Sequence, residues 1–137
     1  MGTALKVVLV GGSGFLGRGL RQRLVGSGQY VSVVGRGPSA DHGSWEDVHW
    51  DAENLGAWVG VHLTGKRVDC RPSPSNIDQL IASRVDTVRL VGRAIETLGN
   101  PPDAWVQLSS LAIFGDSGDV IVDESTPALA VARGSRR

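Results

Sequence analysis

Leu5-Lys6-Val7-Val8-Leu9-Val10-Gly11-Gly12-Ser13-Gly14-Phe15-Leu16-Gly17 is the stretch on which the fold turns. Its first six residues form a short apolar run rich in β-branched side chains, the pattern of a strand buried on both faces in a parallel sheet. The glycines break that run. Leu16, Leu20 and Leu24 then recur every four residues, with Arg18, Arg21 and Arg23 between them. That spacing predicts an amphipathic helix with one buried stripe, ending near Ser27 and Gly28. Residues 30–34, Tyr30-Val31-Ser32-Val33-Val34, read as a second strand, so the opening of the chain spells one β-α-β unit.

Glycines at 11, 14 and 17 give the pattern G-x-x-G-x-x-G. A strand that must turn sharply into a helix, with an anion seated at the turn, needs this. A side chain at the turn would block the approach of a pyrophosphate, and the last glycine lets helix and sheet pack closely. The free amides and the positive end of the helix dipole then face the anion. Gly11, Ser13, Gly14, Phe15, Leu16 and Gly17 are the expected dinucleotide-cradling residues. A glycine-rich turn that holds no ligand is the plainer alternative, but the flanking strand and helix argue against it. No Gly-Lys-Ser or Gly-Lys-Thr follows, which disfavours a P-loop. An acid about 20 residues past the turn would hold the ribose hydroxyl of NAD. Here Val33-Val34-Gly35-Arg36-Gly37 carries no acid before Asp41. Arg36 is placed to pair with a 2′-phosphate, so NADP is expected over NAD, against the alternative of a solvated loop arginine.

Further along, residues 36–45 read as a polar loop and residues 48–51 as a short third strand. Another strand is expected around Val61-His62-Leu63. The nine residues 52–60 are short for a helical crossover, which takes about 10–12. Residues 66–75 read as a loop. Ile77, Ile81, Val88, Val91, Ile95 and Leu98 predict the longest helix, capped by Ser75 or Asn76 and stopped by Gly99-Asn100-Pro101-Pro102. Residues 105–109 are a last strand. The expected organisation is one Rossmann domain over residues 1–127 and a disordered tail over 128–137.

Composition narrows the function classes. The 137 residues carry 14 basic and 14 acidic side chains, a net charge of zero that gives no footprint for nucleic acid. No apolar run approaches the roughly 20 residues that span a bilayer, and no secretory signal is read at the amino terminus. A cytoplasmic protein without a membrane partner is the expectation. The lone Cys70 permits no internal disulfide and has no histidine in a nucleophilic pattern. His42, His49 and His62 lack metal-ligand spacing, so no metal is expected. Asp116, Asp119, Asp123 and Glu124 read as a solvated acidic face. Trp45, Trp50, Trp58 and Trp105 either enlarge a small core or mark a contact surface, with core burial the better default.

These motifs resemble those of the extended and atypical short-chain dehydrogenase/reductases, and most of all their NAD(P)-dependent epimerase/dehydratase-like members. The likeness rests on Gly11 to Gly17, on Val61-His62-Leu63-Thr64-Gly65, on Ser83-Arg84-Val85 in the long helix and on Ser109-Ser110-Leu111-Ala112-Ile113-Phe114-Gly115. The resemblance implies a Rossmann-type doubly wound α/β parallel sheet, incomplete at its C-terminal side. It implies that Leu63-Thr64-Gly65 lies beside the cofactor's ribose and that Asp51 meets adenine. It also implies that Ser110 is the catalytic serine, hydrogen-bonding the substrate's reacting oxygen; a serine that only ends a strand is the competing reading.

The departures from that pattern weigh as much. No Tyr-x-x-x-Lys pair occurs, and the single tyrosine, Tyr30, sits in the second strand and reads as core. Arg84 stands where many relatives carry asparagine. Three functions follow: an NADP-dependent epimerase-like oxidoreductase acting on an unknown small molecule, a non-catalytic NADP-binding module, or a shortened inactive fragment. An unfinished sheet would leave an open edge and exposed apolar surface, which predicts marginal stability or a homo-oligomer.

Overall fold

The computed structural model describes residues 2–35, 41, 56–67 and 69–128. Strand β1 (Lys6–Val10) leads through the glycine turn into helix α1 (Phe15–Gly26), and β2 (Tyr30–Val34) follows. The next described strand, β3 (Val59–His62), precedes the long helix α2 (Pro74–Glu96). Strand β4 (Ala104–Gln107) and a short 3-10 turn (Leu111–Phe114) complete the order. The strands lie β2-β1-β3-β4, and every pairing is parallel. The chain leaves β1 in one direction for β2 and resumes on the other side with β3. The carboxyl ends of β1 and β3 therefore flank a topological switch point, where open α/β sheets bind their ligands.

Alternation along β1 builds two cores. Val8 and Val10 point to one face, packed with Val34, Trp58, Val91 and Leu98 beneath the C-terminal half of α2. Val7 and Leu9 point to the other, with Val33 and Val61, and Leu20 and Leu24 of α1 pack against them. A strand covered on both sides has to be apolar at every position, which is why residues 7–10 show no polar alternation. The sheet is thus the doubly wound parallel α/β arrangement that the family resemblance implied.

Several local readings need correction. Leu16 is 56% exposed, so the leucines of α1 that pack on the sheet are Leu20 and Leu24, both partly buried; Leu16 sits in the first turn, over the cleft rather than the sheet. Tyr30 is 53% exposed instead of core, because it opens β2 at the sheet's outer edge. The cap of α2 is Ser73, whose hydroxyl accepts from the Asn76 amide at 3.2 Å, with a proline in the first turn. Pro74 at the first helical position cannot donate and has φ already set for the helix, so the start moves upstream of Ser75. Of the tryptophans, Trp58 is fully buried, its indole donating to the Asn100 carbonyl at 3.0 Å, whereas Trp105 is 36% exposed. Trp45, Trp50, the expected strand at 48–51 and residues 129–137 of the expected tail lie outside the described residues.

At the β4 side the sheet stops, and no strand lies beyond it among the described residues. All four residues of β4 are exposed, as are Ile77, Ile81, Val85 and Val88 on the overhanging N-terminal half of α2. The apolar surface expected of an unfinished sheet is present.

Candidate functional site

The turn after β1 has a distinct role for each glycine. Gly11 has φ of +76°, in the left-handed region, and a Cβ there would come within 2.5 Å of the Thr64 methyl. It lets the turns after β1 and β3 touch. Its N–H is not free, since it donates to the Val34 carbonyl at 2.7 Å; Gly11 contributes shape rather than a donor. At Gly17 a Cβ would run into the backbone of Gly12, so helix and turn are in direct main-chain contact. Gly14, the N-cap of α1, differs: a Cβ there would meet nothing within 4 Å. The missing side chain leaves open space where the helix begins. No side chain caps that end and no acid lies in its first turn. The first-turn amides lack intrahelical acceptors and carry the positive end of the dipole, so the turn fits an anion.

Facing it is the turn after β3, held by side chains. His62 has no exposed surface. The Gln107 amide nitrogen lies 2.8 Å from His62 Nδ1 and also donates to the Leu108 carbonyl at 3.2 Å. An amide N–H that donates to Nδ1 leaves the imidazole proton on Nε2, which points at Thr64 Oγ1, 2.8 Å away. Thr64 then donates to Thr87 Oγ1 at 2.8 Å, and Thr87 to the Ser83 carbonyl at 2.7 Å. Four side chains, from β3, the turn after it, β4 and α2, form one directed chain that ends on helix backbone. Burial pulls the His62 pKa below its usual range, because a charged imidazole there would be stripped of water. The neutral ring is the form that the chain of donors requires.

A second seam joins the same turn to α2. The Lys66 amide donates to Ser83 Oγ at 3.0 Å, and the Lys66 ammonium reaches Asn76 and Gln79. Arg84 donates to the carbonyls of Lys66 and Leu80, each at 3.1 Å.

Between these walls runs a groove with two lobes. The larger, a cleft of about 1150 Å³, is bounded by Gly11, Gly14, Phe15, Leu16 and Gly17 on one side and by Leu63, Thr64 and Gly65 on the other. It reaches Gln107 at the end of β4 and Ser109 and Ser110 beyond it. The second lobe shares Gly11, Gly14 and Leu63 to Gly65 and extends past Ser13 to Gly35, at the end of β2. Of the site residues expected from the sequence, Gly11, Ser13, Gly14, Phe15, Leu16, Gly17, Leu63, Thr64, Gly65 and Ser110 therefore stand around one groove. Arg36 and Asp51 lie outside the described residues. Ser110 is exposed, and its carbonyl accepts from the Ile113 amide at 3.2 Å as the 3-10 turn begins.

Three residues here went unassigned in the sequence. His62 and Gln107 end their strands and Thr87 lies inside α2, and nothing local marks them as partners. Asp41 is the fourth surprise. Its carboxylate accepts from the Val33 amide at 2.7 Å and from Arg21 at 2.9 Å, so it fastens the loop to the edge of β2. The first acid past the turn is thereby committed to the fold.

No family model matches the chain. Among curated proteins it is 30% identical over 127 residues to the epimerase family protein SDR39U1 of Homo sapiens, a match covering 90% of this chain and 43% of that protein. The crystal structure of the human SDR39U1 isoform 2 with NADPH superimposes with a TM-score of 0.77 at 28% identity, over 90% of this chain and 43% of that one. A UDP-glucuronic acid 4-epimerase from Bacillus cereus, in complex with NAD, shares the fold at 15% identity with a TM-score of 0.72, over 91% of this chain and 46% of that one. The chain thus spans less than half the length of the proteins it matches. No described helix is long and apolar enough to cross a membrane. Over nine-tenths of its length, this chain is similar to the epimerase family proteins named SDR39U1.

Proposed function

We propose that these residues form an NADP-binding unit of the epimerase-like oxidoreductase type. The observation that carries the reading is the start of α1: an uncapped helix end, open space at Gly14, and a left-handed Gly11 that brings the β3 turn alongside. A pyrophosphate seated there receives the first-turn amides. The groove then runs both ways, toward Gly35 for the adenosine half and toward Ser110 for the nicotinamide half. Arg36 takes the 2′-phosphate, Asp51 meets adenine, and Leu63-Thr64-Gly65 borders the ribose. Preference for NADP over NAD is supported by the engagement of Asp41 with Arg21 and Val33, which removes it as a ribose acceptor. The NADPH in the human SDR39U1 structure points the same way.

When bound, NADPH supplies a hydride. Ser110, which lines that end of the groove, would donate a hydrogen bond to a carbonyl oxygen of the substrate. Binding without turnover is the competing reading. Titrating the protein with NADPH and with NADH, read by tryptophan fluorescence and melting temperature, tests the proposal. NADPH is expected to bind at least about tenfold more tightly, with the difference lost in Arg36→Ala. Equal affinities, or no binding at all, would defeat it. Consumption of NADPH with a carbonyl substrate by the wild type but not by Ser110→Ala separates an enzyme from a module.

A further inference from the structure

The larger lobe of the groove is lined by charge of one sign. Arg18, Arg67, Arg84 and Arg89 border it, and among the described residues no aspartate or glutamate does. The chain as a whole carries equal numbers of acidic and basic residues, so this is local segregation and not the by-product of a basic protein. The smaller lobe has no such bias: Lys66 and Asp86 both line it. Two of the four arginines are accounted for. Arg18 stands in the first two turns of α1, beside the amides assigned to the pyrophosphate. Arg67 is a surface residue paired with Asp69 at 2.5 Å. Arg84 and Arg89 remain.

Arg84 is the better placed of the two. Carbonyl oxygens of Lys66 and Leu80 fix its guanidinium. It lies so close over Gly65 that a Cβ there would be 3.2 Å from Arg84 Cζ. Two carbonyl dipoles orient the group without neutralising it, and a guanidinium has five N–H donors, of which they take two. Charge and fork geometry stay available to an oxyanion. The neighbouring wall is apolar, formed by Val88 and Leu108.

We propose that Arg84, assisted by Arg89, receives the carboxylate or phosphate of an acidic small-molecule substrate whose apolar body lies against Val88 and Leu108. The proposal rests on the cofactor reading for its place in the groove, with the acidic group at the Arg84 end and Ser110 lining the same lobe. A planar fork accepts either oxyanion bidentately, and the two are separated by experiment.

The test titrates the protein with hexanoate, hexyl phosphate and hexan-1-ol, each with and without saturating NADPH, by calorimetry. At least one of the two anions is expected to bind about tenfold more tightly than the alcohol, and whichever is the tighter names the oxyanion. Arg84→Gln combined with Arg89→Gln is expected to abolish that preference and to lower anion affinity by far more than NADPH affinity. Arg84→Lys keeps the charge without the fork and is expected to lose several-fold; it also serves if the double variant fails to fold. Equal binding of anion and alcohol, or an anion preference that survives in Arg84→Lys at full strength, overturns the proposal. So does a loss of NADPH affinity as large as the loss of anion affinity, which would give Arg84 to the cofactor. Failure of the cofactor reading appears separately, as wild-type protein that binds no NADPH while the anion series without NADPH still reports on Arg84.

Discussion

The two walls of the groove are made of different material. On the α1 side the turn that would meet the anion is main chain: a left-handed glycine, a helix end without a cap, and a glycine in backbone contact with the turn. On the α2 side it is side chain: a buried histidine, two threonines and a glutamine in a directed chain, then an arginine held by carbonyls. A main-chain surface is rigid because its atoms have no rotamers to choose. A side-chain surface keeps its shape only while every donor finds its acceptor, and it fails when one link is removed. The first wall suits an invariant ligand part such as a pyrophosphate. The second can be retuned by substitution, and it is the wall that faces the proposed substrate.

Substitution should break the two walls in different ways. The largest effect is expected from Gly17→Val, which drives a side chain into the Gly12 backbone and parts α1 from β1. A loss of about 3 kcal/mol in urea unfolding is the expected cost of such overpacking. His62→Ala comes next, at about 2 kcal/mol, because it leaves a cavity and strips Thr64 and Gln107 of their shared partner. A His62/Gln107 double-mutant cycle should then show coupling of about 1 kcal/mol; strict additivity would mean that the network is not a unit.

Gly14→Ala sharpens the contrast by separating stability from binding. Its Cβ enters empty space and its backbone is extended, so the melting temperature should barely move. NADPH affinity should fall about tenfold, or about 1.4 kcal/mol, as the methyl group fills the pyrophosphate's space. Unchanged affinity would remove the main support for the cofactor assignment.

Acid should affect only the side-chain wall. The folded protein holds His62 below its ordinary pKa of 6.5, so below that pH the unfolded chain binds the extra proton more readily. Stability is complete above about 6.5 and declines as pH falls toward the lowered folded value. Denaturation midpoints at pH 7.5 and 5.5 would show the decline in wild type and its reduction in His62→Gln. The smallest effect belongs to Asp41→Asn, which removes a half-exposed ion pair with Arg21 while an amide oxygen still accepts from Val33. About 0.5 kcal/mol is expected from thermal melting.

The same contrast explains what could be read in advance. Glycine spacing is a local signal, and a turn that depends on absent side chains shows itself wherever glycines recur between a strand and a helix. Apolar periodicity is equally local. It foretold both helices and the four described strands to within a residue or two. It misjudged Leu16 and Tyr30, since periodicity gives a face but not how far the covering element reaches. His62, Thr87 and Gln107 are 20 to 45 residues apart and meet only because β3, β4 and α2 converge. No spacing rule connects them. Arg84 stood out in the sequence as a departure from the family's asparagine, but its purpose was not visible until Gly65 was seen beneath it.

By itself, the amino-acid sequence determined the strand–turn–helix at residues 5–26, the doubly covered parallel sheet and the place where a diphosphate would be met. These depend on neighbours within one or two turns of chain, where residue type dictates backbone geometry. Only the tertiary structure decided that Asp41 is spent on the edge of β2, that His62 is bonded at both ring nitrogens, and that the larger lobe is lined by arginines with no acid among the described residues. Those outcomes depend on which distant side chains share a desolvated space, and sequence distance carries no record of that.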